Sequence, residues 1–262
     1  MKRNAIGLAI VGLLICLMGT TAWGQDFQRS YSLGPGGTVS ISNVSGEISV
    51  TGYDGASLSV TAIREGRDQA AVEVVDQSTP DHVSLRVQYP GGSYDASVRF
   101  VVQVPRGARY QYDALSTASG DIQVADVAGE ITARTASGDI TVSRVTGNVH
   151  ASSASGDVKV LGVAGMVTAS AASGDVEVEL TRIEGSGELK FSSASGDVSV
   201  KAPGQLDAQV EMSTASGSIK TDFPLNIEDQ QGHGKKASGV LGSGAVKLKI
   251  STASGDASLL KL

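Results

Sequence analysis

Apolar and polar residues alternate from Ser116 to Val178, and a glycine breaks the alternation every nine residues, at Gly120, Gly129, Gly138, Gly147, Gly156, Gly165 and Gly174. Counted from each glycine, apolar side chains stand two, four and seven positions later. In one kind of unit these are Ile122, Val124 and Val127, then Ile140, Val142 and Val145, then Val158, Val160 and Val163. In the units between they are Ile131, Ala133 and Ala136, then Val149, Ala151 and Ala154, then Val167, Ala169 and Ala172. Offsets of two and four put side chains on one face of a strand. The residues between them are Thr, Ser, Lys, Gln, His and Glu, which suit a wet face. No helical spacing fits. Each unit therefore predicts a short strand with a glycine corner, and two unlike units make an 18-residue repeat.

A fixed period of this kind is the mark of a solenoid. The expected fold is all-β: a single parallel β-solenoid, or β-helix, with two nine-residue strand-turn units per coil. Coils would stack as parallel strands ~4.8 Å apart. Branched residues on one side would face mostly alanine on the other, which predicts a thin core. Burying one Val or Ile contributes about 1.5–3 kcal/mol, while backbone ordering costs about 1–2 kcal/mol per residue. A lone coil cannot offset that cost, so neighbours must stack on it. Glycine allows positive φ at the corner, and the flanking Ser and Asp supply turn hydrogen bonds.

The pattern is weaker outside this stretch. Strands are expected at Thr38–Ile41 and Glu47–Thr51, and the segment from Asn43 to Val50 already resembles the repeat. Longer strands are read at Leu58 to Ile63, His82 to Gln88 and Ser97 to Val104, with a hairpin turn at Pro90-Gly91-Gly92. Residues 65–80 read as a loop or edge element. Residues 25–110 as a whole read as irregular N-terminal strands, forming wider coils or a cap. Residues 111–262 read as repeat coils, with about four extra residues after Val178, a further insertion at Pro203-Gly204, and an exposed glycine-rich loop at 224–244.

The first residues change the picture of where the protein works. Lys2 and Arg3 precede a 14-residue run of small and apolar residues from Ala5 to Met18, and Ala22 and Gly24 follow. This is the layout of a secretory signal peptide, cleaved after Gly24. An uncleaved anchor would need a run of ~20 residues. A lipoprotein reading would use Cys16, but Ile15 is too large for the preceding position. Cleavage leaves 25–262 as one domain without Cys, so no disulfide is available to it. It would carry 19 basic and 27 acidic residues, a net charge of −8. That argues against nucleic acid and anionic membrane surfaces as partners. The expected location is the periplasm or the cell surface, with no transmembrane anchor after cleavage.

The units Ala-Ser-Gly-Asp-(Ile/Val)-x-Val at 118–124, 136–142, 154–160, 172–178 and 194–200 carry a family likeness. So do Val102 to Gly107 and the glycine-rich segment before a last Ser-Gly-Asp at 254–256. Over residues 30–262 the chain resembles a bacterial family of exported, envelope-associated β-solenoid domains known by the names "putative adhesin" and toastrack. The resemblance implies a structural or adhesive role at the envelope and supplies no catalytic residue.

Candidate chemistry is sparse. Asp121, Asp139, Asp157, Asp175 and Asp197 occupy equivalent corners and are the candidates for a calcium site, calcium taking oxygen ligands. They lack the double glycine of calcium-binding nonapeptides, and as turn formers they need no metal. Ser119, Ser137, Ser155, Ser173 and Ser195 form one hydroxyl column. Thr117, Thr135, Ser153 and Ser193 form another, interrupted at Ala171. Both are expected on the outer face, bonding across strands. His82, His150 and His233 show no metal spacing, and a Ser-His-Asp triad has no nucleophile elbow to sit on. Lys235 and Lys236 stand in a glycine-rich segment without the spacing of a phosphate loop. The function expected is a non-catalytic module that needs no cofactor and meets an envelope or surface partner, protein or glycan, through a repetitive polar face. The alternatives are a polysaccharide-acting enzyme, disfavoured by only ten Phe and Tyr, and a calcium-stabilised surface repeat protein.

Overall fold

In the computed structural model, residues 27–92, 94–229 and 234–262 are described. The signal-peptide expectation and His233 lie outside them. The described residues are all-β, in two sheets of 11 and 12 strands. Through the regular section it passes from one sheet to the other at every glycine corner. Strands Ile122–Ala125, Ile140–Ser143, Val158–Ala164, Val176–Arg182 and Val198–Ala202 stack in parallel in the smaller sheet. Strands Arg109–Ser119, Ala128–Ser137, Val149–Ser155, Val167–Ser173 and Glu188–Ser195 do so in the larger. Register advances by the repeat: Ile140 pairs with Val158, and Ile131 with Val149.

The expected inward residues are buried. Ile122, Val124, Ile140, Val142, Val158 and Val160 meet Ile131, Ala133, Val149, Ala151, Val167 and Ala169 in one apolar cluster. The alanine column is confined to the middle. In the same register Leu115 stands on one side of it, and Phe191, Ile250 and Met212 on the other. Small side chains in the centre and large ones toward both ends give the core a waist.

One inward position differs from expectation. Ala136, Ala154 and Ala172 are exposed, and it is Thr135, Ser153 and Ala171, one residue earlier, that are buried. Strand alternation simply runs on to the sixth position. The buried hydroxyls do not wet an outer face. Each donates to a glycine carbonyl of the adjacent coil: Thr135 to Gly120 at 3.1 Å, Ser153 to Gly138 at 3.0 Å, Ser193 to Gly174 at 2.8 Å, Thr252 to Gly196 at 2.8 Å and Thr214 to Gly255 at 2.8 Å.

Coils do not all stack in chain order. The N-terminal coil, Thr38–Ser42 with Ile48–Tyr53, lies between the coil at 109–125 and the later strands His82–Gln88 and Ser97–Pro105. The C-terminal coil, Val246–Ser254 with Ala257–Lys261, is inserted between the coil at 188–202 and the earlier strands Ala208–Ser216 and Ile219–Thr221. The pairing is also mixed, so the expectation of a wholly parallel stack holds only for the regular section. Antiparallel strands Phe27–Tyr31, Leu58–Glu65 and Glu73–Asp76 finish one end. At the other end, segment 224–244 is not an open loop. It holds the antiparallel strands Asn226–Asp229 and Lys235–Leu241. Pro90 to Gly92 is not a hairpin turn either, because the strands on its two sides belong to different sheets.

The apolar side chain at Ala171 leaves one rung of the hydroxyl ladder unmade, opposite the Gly156 carbonyl. Ala171→Ser should therefore stabilise the protein by about 1 kcal/mol, seen as a rise of about 2–4 °C in the melting midpoint. Thr135→Ala should move it the other way by a similar amount.

Candidate functional site

The Ser-Gly-Asp corners form one edge of the molecule. Gly138 has φ +144°, and a Cβ there would lie 2.1 Å from the Gly120 carbonyl oxygen. Only glycine lets each corner sit directly on the one before it. That closeness brings the next residue into place. The Asp139 N–H donates to Asp121 Oδ1 at 2.9 Å, Asp157 to Asp139 at 2.8 Å, Asp175 to Asp157 at 2.9 Å and Asp197 to Asp175 at 2.8 Å. The ladder then skips with the fold: Asp256 N–H donates to Asp197 Oδ1 at 2.7 Å, and Ser218 N–H to Asp256 Oδ1 at 2.8 Å. All five candidate aspartates are thus in one column, joined by Asp256. Each carboxylate satisfies a backbone donor of the neighbouring coil. Among the described residues, no three His, Cys, Asp or Glu side chains converge as metal ligands would.

A second ladder lies on the same corner. Ser119, Ser137, Ser155, Ser173 and Ser195 are in register and exposed. The outer surface of the larger sheet continues this order. One row runs Arg134, Ser152, Ser170, Ser192 and Ser251, and the next runs Thr132, His150, Thr168, Lys190 and Lys249. The first residues of the two rows border a shallow trough lined by Thr132, Arg134, His150, Ser152, Thr168 and Ser170. Ser170 Oγ donates to Ser152 Oγ at 3.2 Å. His150 is therefore on the polar face, and Lys235 and Lys236 are in the strand Lys235–Leu241.

One Ser-His-Asp grouping does form, from Ser40, His82 and Asp113. Ser40 is its hub. Its hydroxyl donates to Asp113 Oδ1 at 2.5 Å, and its oxygen stands 2.9 Å from His82 Nε2. With the serine proton given to Asp113, the histidine nitrogen meets the oxygen as a donor. An activated nucleophile needs the reverse: the base takes the serine proton and the acid orients the base. This grouping ties adjacent strands together, with Ser40 and not His82 between the other two groups.

Two charged sites were invisible to motif reading. Asp126 and Arg144 hold positive φ values of 59° and 52°, and Gly162 at the next equivalent position has 67°. Arg144 donates twice to the Asp126 carboxylate, at 2.8 Å each. The Arg144 guanidinium holds the Asp126 carboxyl below the usual carboxylate range. Opposite charges spaced by the repeat length were the available signal. The other site closes the N-terminal end. From the edge of one sheet, Tyr31 Oη donates to Asp76 Oδ2 at 2.8 Å, and Arg29 pairs with the same carboxylate, which stands on the edge of the other sheet. Burial pushes the Asp76 carboxyl up, but hydrogen bonds from Ser78, Tyr31 and Arg29 outweigh it and hold it low. Burial, with the hydrogen bond to Asp76, pushes the Tyr31 phenol up.

A family model described as Toastrack DUF4097 matches residues 35–260. No protein of curated function matches the sequence. Solved structures are similar to this chain too, three of them over 91% of it. They are a "putative cell adhesion protein" from Clostridium sporogenes (10% identity, all of that chain, TM-score 0.35), a "putative adhesin" from Bacteroides fragilis (15%, 98% of that chain, 0.36) and a "putative lipid binding protein" from Parabacteroides distasonis (16%, 97% of that chain, 0.37). At these TM-scores the likenesses bear on no ligand or activity.

If the corner acids act as acceptors and not as metal ligands, charge is dispensable and the oxygen is not. Asp157→Asn should keep stability within about 0.5 kcal/mol, while Asp157→Ala loses about 1 kcal/mol; an equal loss for both in urea unfolding would point to the charge instead. At the N-terminal clasp, the folded Asp76 carboxyl titrates below its unfolded value near 3.8. Its contribution is present above that pH and is lost as pH falls below about 4. Asp76→Asn should cost about 2 kcal/mol at pH 7 and flatten the acid limb of the stability curve, measured by urea unfolding from pH 7 to pH 2.

Proposed function

The chain belongs to the Toastrack DUF4097 family, and on that premise we propose that it is a non-catalytic structural or binding module exported to the bacterial cell envelope. We read its regular section as a β-solenoid whose purpose is to hold a long polar face flat. The observation that carries the reading is the registered outer surface of the larger sheet. There Ser, Thr, Arg and Lys repeat in rows set by strand spacing, with a shallow trough at one end and no enclosed acid pair beside it. Glycan-cleaving chemistry uses two carboxyl groups facing each other across a cleft; here the corner acids run in a single file and serve the backbone. An extended partner of polysaccharide or protein, with its own short repeat, suits such a face. Among the described residues no helix is long and apolar enough to cross a membrane.

Purified protein should bind isolated bacterial envelope material without releasing sugar. The double substitution Ser152→Arg and Ser170→Arg, both outward, should weaken that binding at least about tenfold through lost hydrogen bonds and steric bulk, while the like charges set in register with Arg134 lower the melting midpoint by no more than about 4 °C. Release of new reducing ends from the glycan, abolished by substituting corner aspartates, would replace this reading with an enzymatic one.

A further inference from the structure

The larger sheet ends in the strands Glu73–Asp76 and Asn226–Asp229. Among the described residues each has one strand neighbour. At the first end, Val72 is buried and Val74 pairs with buried Val87, so both point between the sheets. Beside them lies a groove lined by Phe27, Arg64, Ala70, Ala71, Val72, Glu73 and Val74. At the other end, Ile227 pairs with buried Ala237 and points between the sheets too, yet it is 49% exposed. It is an apolar side chain in a core position that is left half open to solvent. Strand direction also matches. Following the pairings through the sheet, Asn226–Asp229 runs antiparallel to Glu73–Asp76.

We propose that a second copy of this chain is the partner of each end, joined head to tail, with Asn226–Asp229 of one copy pairing along Glu73–Asp76 of the next. Setting Ile227 opposite Val74 puts both inward against the groove and Asp229 opposite Val72, beside Arg64. The same register puts Glu228 opposite Glu73, both outward. Like charges directly across a strand pair repel. The contact is heterologous and repeatable, so the ends fit while the acid pair keeps them weakly joined. Edge strands are commonly guarded by charge in this way. Sodium chloride screens the repulsion, so association strengthens with salt.

The test is sedimentation velocity over a concentration series at low and high sodium chloride, with circular dichroism confirming the fold of each variant. Wild type should be largely monomeric at low salt and associate more at high salt. Glu73→Lys should raise the association constant at low salt about tenfold, and salt should now weaken it. Glu73→Lys combined with Glu228→Lys should return the wild-type behaviour. Ile227→Asp, with Ile227→Ser as the milder variant, should abolish association in every background. Monomer throughout for both wild type and Glu73→Lys would overturn the proposal. So would association indifferent to Ile227, or salt dependence of one sign in wild type and Glu73→Lys.

Discussion

Backbone resting on backbone at the glycine corners is the constraint from which the rest of this structure follows. A Cβ at Gly138 would stand 2.1 Å from the Gly120 oxygen, and one at Gly147 would stand 2.0 Å from the Gly129 oxygen. With both edges of each coil pressed this closely, adjacent coils can slide neither sideways nor along the strands. The repeat length is then fixed, and every other column inherits it. Asp Oδ1 meets the next N–H, Thr and Ser hydroxyls meet glycine carbonyls, and valine sits on valine. The insertion after Val178 shows how local the rule is. It lengthens one coil at the opposite edge, while Asp175 and Asp197 keep the same hydrogen bond at 2.8 Å across 22 residues instead of 18.

The polar ladders change what the repeated residues mean. A row of aspartates at a solvent edge looks like a cation site, and a row of hydroxyls looks like a wetted surface. In the folded chain one oxygen of each aspartate, and the hydroxyls of the Thr135 column, hold coils together, the hydroxyls from buried positions. An unpaired buried hydroxyl would cost about 1–3 kcal/mol, so each rung needs its carbonyl. The outward rows of both sheets and the exposed Ser119 column take no part in these two ladders.

Much of the fold was legible because the physics is local. Two-residue alternation, glycine corners and the branched-against-alanine pairing all follow from short-range pattern, and Ile122, Val142 and Ala151 lie where that pattern puts them. The stacking order was not legible. From Gly120 onward every corner of the Ser-Gly edge carries the same Ala-Ser-Gly motif, so Ser195 has no local reason to prefer Ser254 over Ser216 as its neighbour; the inserted C-terminal coil decides it. The hairpin at 226–241 was hidden for a different reason. Lys235, Lys236 and Gly239 suit a strand poorly by propensity, and pairing along Ala208–Ser216 overrides them. Thr135 and Ser153 misled because a hydroxyl reads as surface until its carbonyl partner, 15 residues back, is known.

Amide hydrogen exchange at the corners tests the account most directly. The side chains of Asp139, Asp175, Asp197 and Asp256 are exposed, and an amide in an exposed turn ordinarily exchanges fast. If each Oδ1 holds the next coil's N–H, the amides of Asp139, Asp157, Asp175, Asp197, Asp256 and Ser218 exchange as slowly as those of the buried strands, and they do so with calcium removed. Fast exchange at these amides, or protection only in the presence of calcium, would contradict a stack held by its own backbone and carboxylates.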